Sequence, residues 1–292
     1  MMRGEIKEGR GGIYTVRDGQ GQEHVLRAKK KFRRDGLSPL PGDRVLFTPG
    51  SGEEHGWLEE ILPRSSLCLR PPVANITLMV IVIAPEPAPD FLLVDKLLVY
   101  ASLQGIRPLI AANKSDLGRE AFEQAAQTYK SLGAPILALS AETGEGLDML
   151  QQEMQGELTG FAGQSGVGKS ALISRVTQTE LVSGAISDRI RRGKQTTRHT
   201  TLLYHEGMKV LDTPGFSLLE LPRNLAPEQL PQHYPDFTPY EKDCRFSPCL
   251  HLAEPDCAVK AAEKRGEIDA SRRARYAELM DTVKKNWRER YD

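Results

Sequence analysis

Gly163-Gln164-Ser165-Gly166-Val167-Gly168-Lys169-Ser170 decides how this 292-residue chain is read. It fits G-x-x-x-x-G-K-[ST], follows the apolar run Leu158–Ala162 and precedes a helical run, Ala171 to Val176. That is the strand–loop–helix setting the motif requires. Glycines let successive backbone N–H groups converge on phosphate oxygens, and the following helix adds the positive end of its dipole. Lys169 is expected to reach the β- and γ-phosphates, Ser170 to ligate Mg²⁺, and the Ala171 amide to meet the α-phosphate. The alternative is a chance glycine-rich loop, and the flanking strand and helix argue against it.

Around the loop, the apolar runs Ile76–Ile83, Pro108–Ala112, Ile136–Leu139, Leu158–Ala162 and Lys209–Leu211 alternate with helical stretches such as Phe91–Leu103 and Glu120–Leu132. Such alternation predicts an α/β domain with a largely parallel sheet. Asn113-Lys114-Ser115-Asp116 follows the second run directly. In N-K-x-D the carboxylate accepts from guanine's ring N–H and exocyclic amine; adenine would leave it a desolvated acceptor without donors. Asn113 is expected to brace the loop and touch the base, and the Lys114 stem to cover its face. Ser140-Ala141, twenty-seven residues on, matches the S-A segment whose backbone meets the guanine carbonyl.

Asp212-Thr213-Pro214-Gly215 fits D-x-x-G, forty-two residues after Ser170. Asp212 is expected to hold Mg²⁺ through water, and the Gly215 amide to sense the γ-phosphate. Between the two lies Gly193-Lys194-Gln195-Thr196-Thr197-Arg198-His199, the candidate first switch, with either Thr196 or Thr197 as the metal ligand. The position after D-x-x-G is Phe216, which cannot orient a nucleophilic water. Gln195, His199 or a partner's groups must then do so, with Lys169 the other catalytic candidate. Slow intrinsic hydrolysis accelerated by a macromolecule is the expectation.

Residues 1–65 carry short alternating strands, Gly12–Val16, His24–Ala28 and Arg44–Phe47, separated by turns such as Pro41-Gly42-Asp43. They suggest a small barrel; an OB-fold is the commonest of this size, and the periodicity alone fits other small barrels nearly as well. Lys plus Arg and Asp plus Glu are both 39, so global charge names no partner. Locally, Arg27, Lys29, Lys30, Lys31, Arg33 and Arg34 put six cations into eight residues. That run is either a solvated face or a phosphate-backbone contact. The start, MMRGEIKEGR, lacks the apolar core of a signal peptide. Ile76–Ala84 is far shorter than the ~20 residues of a membrane helix. A cytoplasmic protein without disulfides is therefore expected.

Cys244, Cys249, His251 and Cys257 give C-x₄-C-x-H-x₅-C. Three thiolates and one imidazole make a closed tetrahedral zinc shell of structural type, one ion per chain. Ordinary buried thiols are the alternative, but the segment has few large apolar residues to order it without a metal. Cys68 stands apart as a small buried hydrophobe. Five prolines from Pro222 to Pro239 read as an extended linker, and the chain from Pro255 as helical, with Tyr276, Leu279, Met280, Val283 and Trp287 on one face.

The guanine segments precede the phosphate loop, the reverse of the usual order and the mark of a circular permutation. Permuted NKSD…SA…GQSGVGKS…DTPGF, the preceding barrel with PGDRV, and the cysteine cluster together resemble the ribosome small-subunit-dependent GTPase A family (RsgA, also called YjeQ). The resemblance spans essentially the whole chain. It implies an OB-fold RNA-binding barrel (1–65), a circularly permuted P-loop GTPase domain (70–221) and a zinc-binding module (222–292). It also implies a late maturation factor of the small ribosomal subunit that binds its rRNA and is stimulated by it, acting as a monomer. The basic run then becomes an RNA contact leaving a barrel loop. One departure is Gln195, where the family's first switch reads G-x-H-T-T. Two alternatives stand beside this reading: a GTP-dependent rRNA-binding adaptor with negligible hydrolysis, and a permuted GTPase of large-subunit assembly.

Overall fold

The computed structural model describes residues 1–34, 36–51, 54–69, 71–179, 200–212 and 220–290, without the side chains of Arg33 and Asp212. Five strands come first: β1 (Met2–Arg10), β2 (Ile13–Asp18), β3 (Glu23–Ala28), β4 (Arg44–Thr48) and β5 (Gly56–Ile61). Apolar side chains turned inward from each strand build the barrel core. Ile6, Val16, Leu26, Val45, Phe47 and Leu58 are all fully buried. The strands close into a barrel of order β1-β2-β3-β5-β4, with β3 and β5 parallel and the other pairs antiparallel. A short helix α1 (Lys30–Arg34) links β3 to β4 and sends Phe32 into the barrel core. This is the expected OB-type barrel.

Strands β6 (Leu67–Leu69) and β7 (Pro72–Ala74) form a small antiparallel pair, and the main sheet follows. Its strands are β8 (Leu78–Ile83), β9 (Arg107–Ala112), β10 (Ile136–Ala138), β11 (Leu158–Ala162), β12 (Thr201–His205) and β13 (Met208–Asp212). They lie in the order β10-β9-β8-β11-β13-β12, parallel except for the antiparallel edge strand β12. β8 reads LMVIVI and is buried along its whole length, as a strand covered on both faces must be. Met79, Ile81 and Ile83 face one layer; Leu78, Val80 and Val82 face the other.

Helices α2 (Phe91–Leu103) and α3 (Glu120–Thr128) belong to the first layer, α4 (Leu147–Met154) and α5 (Lys169–Thr177) to the second. The Asp90 carboxylate caps α2 by accepting from the Leu93 N–H at 2.9 Å. α3 ends four residues earlier than the sequence pattern suggests.

The extended linker is not what forms. Leu221, Leu225, Leu230, Tyr234 and Phe237 are buried, and Pro227–His233 winds into a 3₁₀ helix. Prolines there set the turns while the apolar residues between them pack. A short α6 (Thr238–Glu241), α7 (Ala258–Lys264) and the long α8 (Ala270–Arg288) complete the chain. Tyr276, Leu279, Met280 and Val283 of α8 are buried as expected, in the same core as the α2 face of the sheet.

That junction also holds charge. Arg272, 2% exposed, donates to Asp95 Oδ1 of α2 at 2.5 Å and to both carboxylate oxygens of Asp236, at 2.8 and 3.0 Å. Arg275 Nε donates to Asp95 Oδ2 at 2.6 Å, and the Tyr129 hydroxyl to Asp95 Oδ1 at 2.7 Å.

The barrel is tied to the sheet at two places. Gly42, at φ +85°, sits where a Cβ would lie 2.1 Å from the Ala74 carbonyl oxygen, so Pro41-Gly42-Asp43 is a docking turn that needs glycine. Arg64 grips the buried Asp43 carboxylate through two hydrogen bonds of 2.7 and 2.8 Å. On the other side, Glu5 accepts from the Tyr204 hydroxyl and Lys209, and Glu8 from Thr201, each at 3.1 Å.

Candidate functional site

Parallel strands present their carboxyl ends to one edge of a sheet, where ligands of open α/β folds bind. Asn113 follows β9, Ser140 lies two residues past β10, Gly163 follows β11, and Asp212 ends β13. The sequence motifs, scattered over a hundred residues of chain, therefore meet along one rim.

Asn113, 2% exposed, joins two of them. Its amide nitrogen donates to the Val167 carbonyl at 2.9 Å, and its oxygen accepts from the Ala141 N–H at 3.1 Å. The contact is so close that a Cβ on Gly168 would lie 2.2 Å from Asn113 Nδ2, and Gly168 adopts φ +92°. Only glycine fits there. The Ser140 hydroxyl donates to Asp116 Oδ1 at 2.5 Å. Asp116 itself is exposed at the rim, and among the described residues its second oxygen accepts no hydrogen bond. Lys114 Nζ donates to the Glu86 carbonyl at 2.6 Å, and Ser115 Oγ donates to Glu145 at 2.7 Å.

Gly163 to Gly168 turn the chain into α5, whose first residues are Lys169, Ser170 and Ala171. Ser165, Gly166, Ser170 and Ala171 are exposed, while Val167 is fully buried as the loop's anchor. The Gln164 side chain accepts from the Asp90 N–H at 2.9 Å and donates to the Ala88 carbonyl at 3.2 Å, fastening the loop to the start of α2. Lys169 Nζ donates to the carbonyls of Gly163 and Gln164 at 2.8 and 2.5 Å. Burial pulls its ammonium down to about 8. Gly193 to His199, including Gln195, Thr196, Thr197 and His199, and Gly215 and Phe216 lie outside the described residues.

The second cluster is at the other end of the molecule's sequence. Cys244, Cys249, His251 and Cys257 bring four ligand atoms within 4.8 Å of one another. Cys244 Sγ to Cys257 Sγ is 4.0 Å, and His251 Nδ1 lies 3.7 and 3.4 Å from those two sulfurs. A tetrahedral ion with bonds of ~2.3 Å to sulfur and ~2.05 Å to nitrogen demands edges of about 3.8 and 3.6 Å. The set fits. Burial pushes the Cys249 thiol up to about 12 and raises Cys257, so only a cation would make thiolates favourable here. Glu241 Oε1 lies 3.5 Å from His251 Nε2, near enough for a carboxylate to turn the ring's Nδ1 toward the sulfurs.

Comparison with known proteins agrees with this geometry. The model of the RsgA GTPase family matches residues 61–222. A small ribosomal subunit biogenesis GTPase RsgA from Ruminiclostridium cellulolyticum is 41% identical, covering 97% of this chain and 94% of the relative. The chain belongs to the RsgA GTPase family. Another RsgA, from Caldanaerobacter subterraneus, is 38% identical over 99% of this chain and 98% of its own. YjeQ from Thermotoga maritima superposes with a TM-score of 0.85 at 31% identity, covering 97% of this chain and 98% of that one. YloQ, a circularly permuted GTPase, gives 0.81 at 32%, covering 98% and 96%.

The protein is thus a GTP-hydrolysing enzyme with a permuted domain and a cluster able to hold a metal ion. Among the described residues no helix is long and apolar enough to cross a membrane.

In this RsgA-family GTPase the basic run spans the end of β3 and the short helix of the β3–β4 connection. Arg27 sits on β3, while Lys30, Lys31 and Arg34 lie exposed on α1; the helix forms because Phe32 gives it a side to bury. Lys29 pairs with Glu59. Cys68 is buried, and desolvation pushes its thiol up to about 11. One site residue that sequence reading missed is Arg175, in the last turn of α5. Its Nε donates to the Ala141 carbonyl at 2.7 Å and Nη2 to the Glu142 carbonyl at 2.6 Å. A lone arginine in a helix carries no motif that would have marked it.

Proposed function

We propose that this enzyme hydrolyses GTP while docked on the small ribosomal subunit late in its maturation, and that the subunit accelerates the reaction. The observation carrying this reading is the Asn113 bridge, which fixes the phosphate loop and both base segments as one preorganised cradle. Asp116 selects guanine through the ring N–H and exocyclic amine. Asn113 and Ser140-Ala141 frame the base, and Lys114 and Ser115 hold the approach to it. Gly163, Gln164, Ser165, Gly166, Val167 and Gly168 offer the backbone amides that surround the phosphates.

Lys169 exchanges its two loop carbonyls for β- and γ-phosphate oxygens, an exchange favoured because burial has left its charge poorly solvated. The Ala171 amide and the α5 dipole stabilise the α-phosphate side. Mg²⁺, when bound, neutralises charge developing between the β- and γ-phosphates. Ser170, Asp212 and one of Thr196 and Thr197 would hold it. Gly215 senses the γ-phosphate. Gln195 and His199 are the chain's own candidates for orienting water, since Phe216 cannot, and this motivates the subunit's role in acceleration.

The domains divide as 1–65, 70–221 and 222–292, and the protein works as a cytoplasmic monomer. Zinc is the ion for the Cys244, Cys249, His251 and Cys257 set, where it would cross-link a segment that has little core of its own. Arg27, Lys29, Lys30, Lys31, Arg33 and Arg34 face rRNA phosphates.

Single-turnover phosphate release, measured with and without purified small subunits, tests the reading. The rate is expected to rise by at least about tenfold with subunits, in the manner of partner-stimulated GTPases. An unchanged rate would refute coupling to the subunit.

A further inference from the structure

Two elements hold the Ser140–Glu142 loop, and the residue that the second one uses lies outside any recognised motif. The Asn113–Asp116 segment supplies the Asn113 oxygen that accepts from the Ala141 N–H, and the Asp116 carboxylate that accepts from Ser140 Oγ. The other element is α5, the helix that grows out of the phosphate loop. From its last turn Arg175 reaches back across the loop, and its guanidinium fork donates to two successive carbonyls, those of Ala141 and Glu142.

This pins two consecutive peptide planes. In a trans peptide the C=O and N–H point opposite ways. The Glu142–Thr143 plane is held at both ends, its carbonyl by Arg175 and its N–H by Ser140 Oγ at 3.1 Å. Among the described residues the Ala141–Glu142 plane is held at its carbonyl alone. Its Glu142 N–H is thereby turned away from Arg175 and has no partner among the described residues. With the Ala141 N–H already given to Asn113, the Glu142 amide is the donor this loop has left to offer. A purine carbonyl is an acceptor of matching kind; an exocyclic amine, as in adenine, is not.

We infer that Arg175 is a positioning residue for guanine recognition: by clamping the carbonyls of Ala141 and Glu142 it aims the Glu142 N–H at the purine carbonyl. This rests on the base site proposed above. Because the clamp springs from α5, it also sets the distance between base and phosphate subsites. Lysine cannot reproduce it, since a single ammonium lacks the planar fork that spans two carbonyls.

The test is nucleotide affinity in the full-length, metal-loaded protein, with GDP measured directly and ADP by competition. Arg175→Met is expected to weaken GDP about five- to tenfold, the scale of one charge-assisted hydrogen-bond arrangement, and to leave ADP unchanged. Arg175→Lys should fall between Met and wild type. Arg175 is exposed, so both variants should melt with the wild type. Equal losses for GDP and ADP, or no loss for GDP, would overturn the assignment. Asp116→Asn tests the underlying site separately. If it leaves the preference for GDP over ADP intact, the base site itself is misassigned; if it shifts preference toward XDP while Arg175→Met changes nothing, only the clamp fails.

Discussion

Replacing Arg272 by methionine should remove more stability than any surface substitution in the molecule. The guanidinium is 2% exposed and its partners Asp95 and Asp236 are 0% and 6% exposed. It makes three of the network's hydrogen bonds and stacks 4.6 and 5.0 Å from the rings of Tyr234 and Tyr129. Methionine keeps much of the packing volume, so the cost is electrostatic. Asp95 retains Arg275 at 2.6 Å and the Tyr129 hydroxyl at 2.7 Å. Asp236 loses both of its side-chain hydrogen bonds and becomes an uncompensated buried carboxylate. Removing one partner of a buried pair costs about 3–5 kcal/mol. For a chain of this size that is a melting drop of roughly 6–20 °C. Urea and thermal unfolding followed by circular dichroism measure it. Adding Asp236→Asn to Arg272→Met should restore part of the loss, because it neutralises the orphaned charge. A loss under about 1 kcal/mol, or a double variant weaker than Arg272→Met alone, would refute the electrostatic account.

Three further outcomes are expected. Lys169 is pulled down to about 8 by burial, and a triphosphate beside it would raise it again. Below about 8 the free and bound forms are both protonated and GTP affinity should be flat. Above it, binding must take up a proton and Kd should weaken by up to about tenfold per pH unit, read by calorimetry in buffers of different ionisation enthalpy; a flat alkaline limb would contradict this. Cys249→Ser, or stripping with a strong chelator, should release one ion per chain and lower melting by about 10 °C or more, because Cys249 and Cys257 share the core that covers α2. Alanine at Lys30 and Lys31 should weaken cosedimentation with small subunits and flatten its salt dependence by about one unit of slope per lost phosphate contact; unchanged cosedimentation would remove the run from the RNA interface.

The sequence was most legible where chemistry demands a fixed local spacing. Gly163–Ser170, Asn113–Asp116, Ser140-Ala141 and the C-x₄-C-x-H-x₅-C set could be placed at strand ends or in one cluster, because phosphate, base and metal each dictate which residues must be neighbours. The barrel was legible through its alternation and turns. What escaped reading lies in contacts with no local period. Arg272 meets Asp95 across 177 positions of sequence, and Arg175 meets Ala141 across 34. Neither pairing leaves a trace in the residues beside it. The proline-rich stretch misled for a related reason: prolines report backbone angle, not burial, and Leu230, Tyr234 and Phe237 found their partners on α2 and α8.

The single core shared by the sheet, α2 and α8 bears on how this enzyme can be dissected. A fragment ending before the metal cluster would leave Phe91, Val94 and Leu98 of α2 facing water, with Asp95 stripped of both arginines. Such a fragment would be prone to self-association through that bared face, and its catalytic behaviour would describe a damaged particle rather than an isolated motor. A fragment cut before the metal cluster is therefore a poor stand-in for the whole chain.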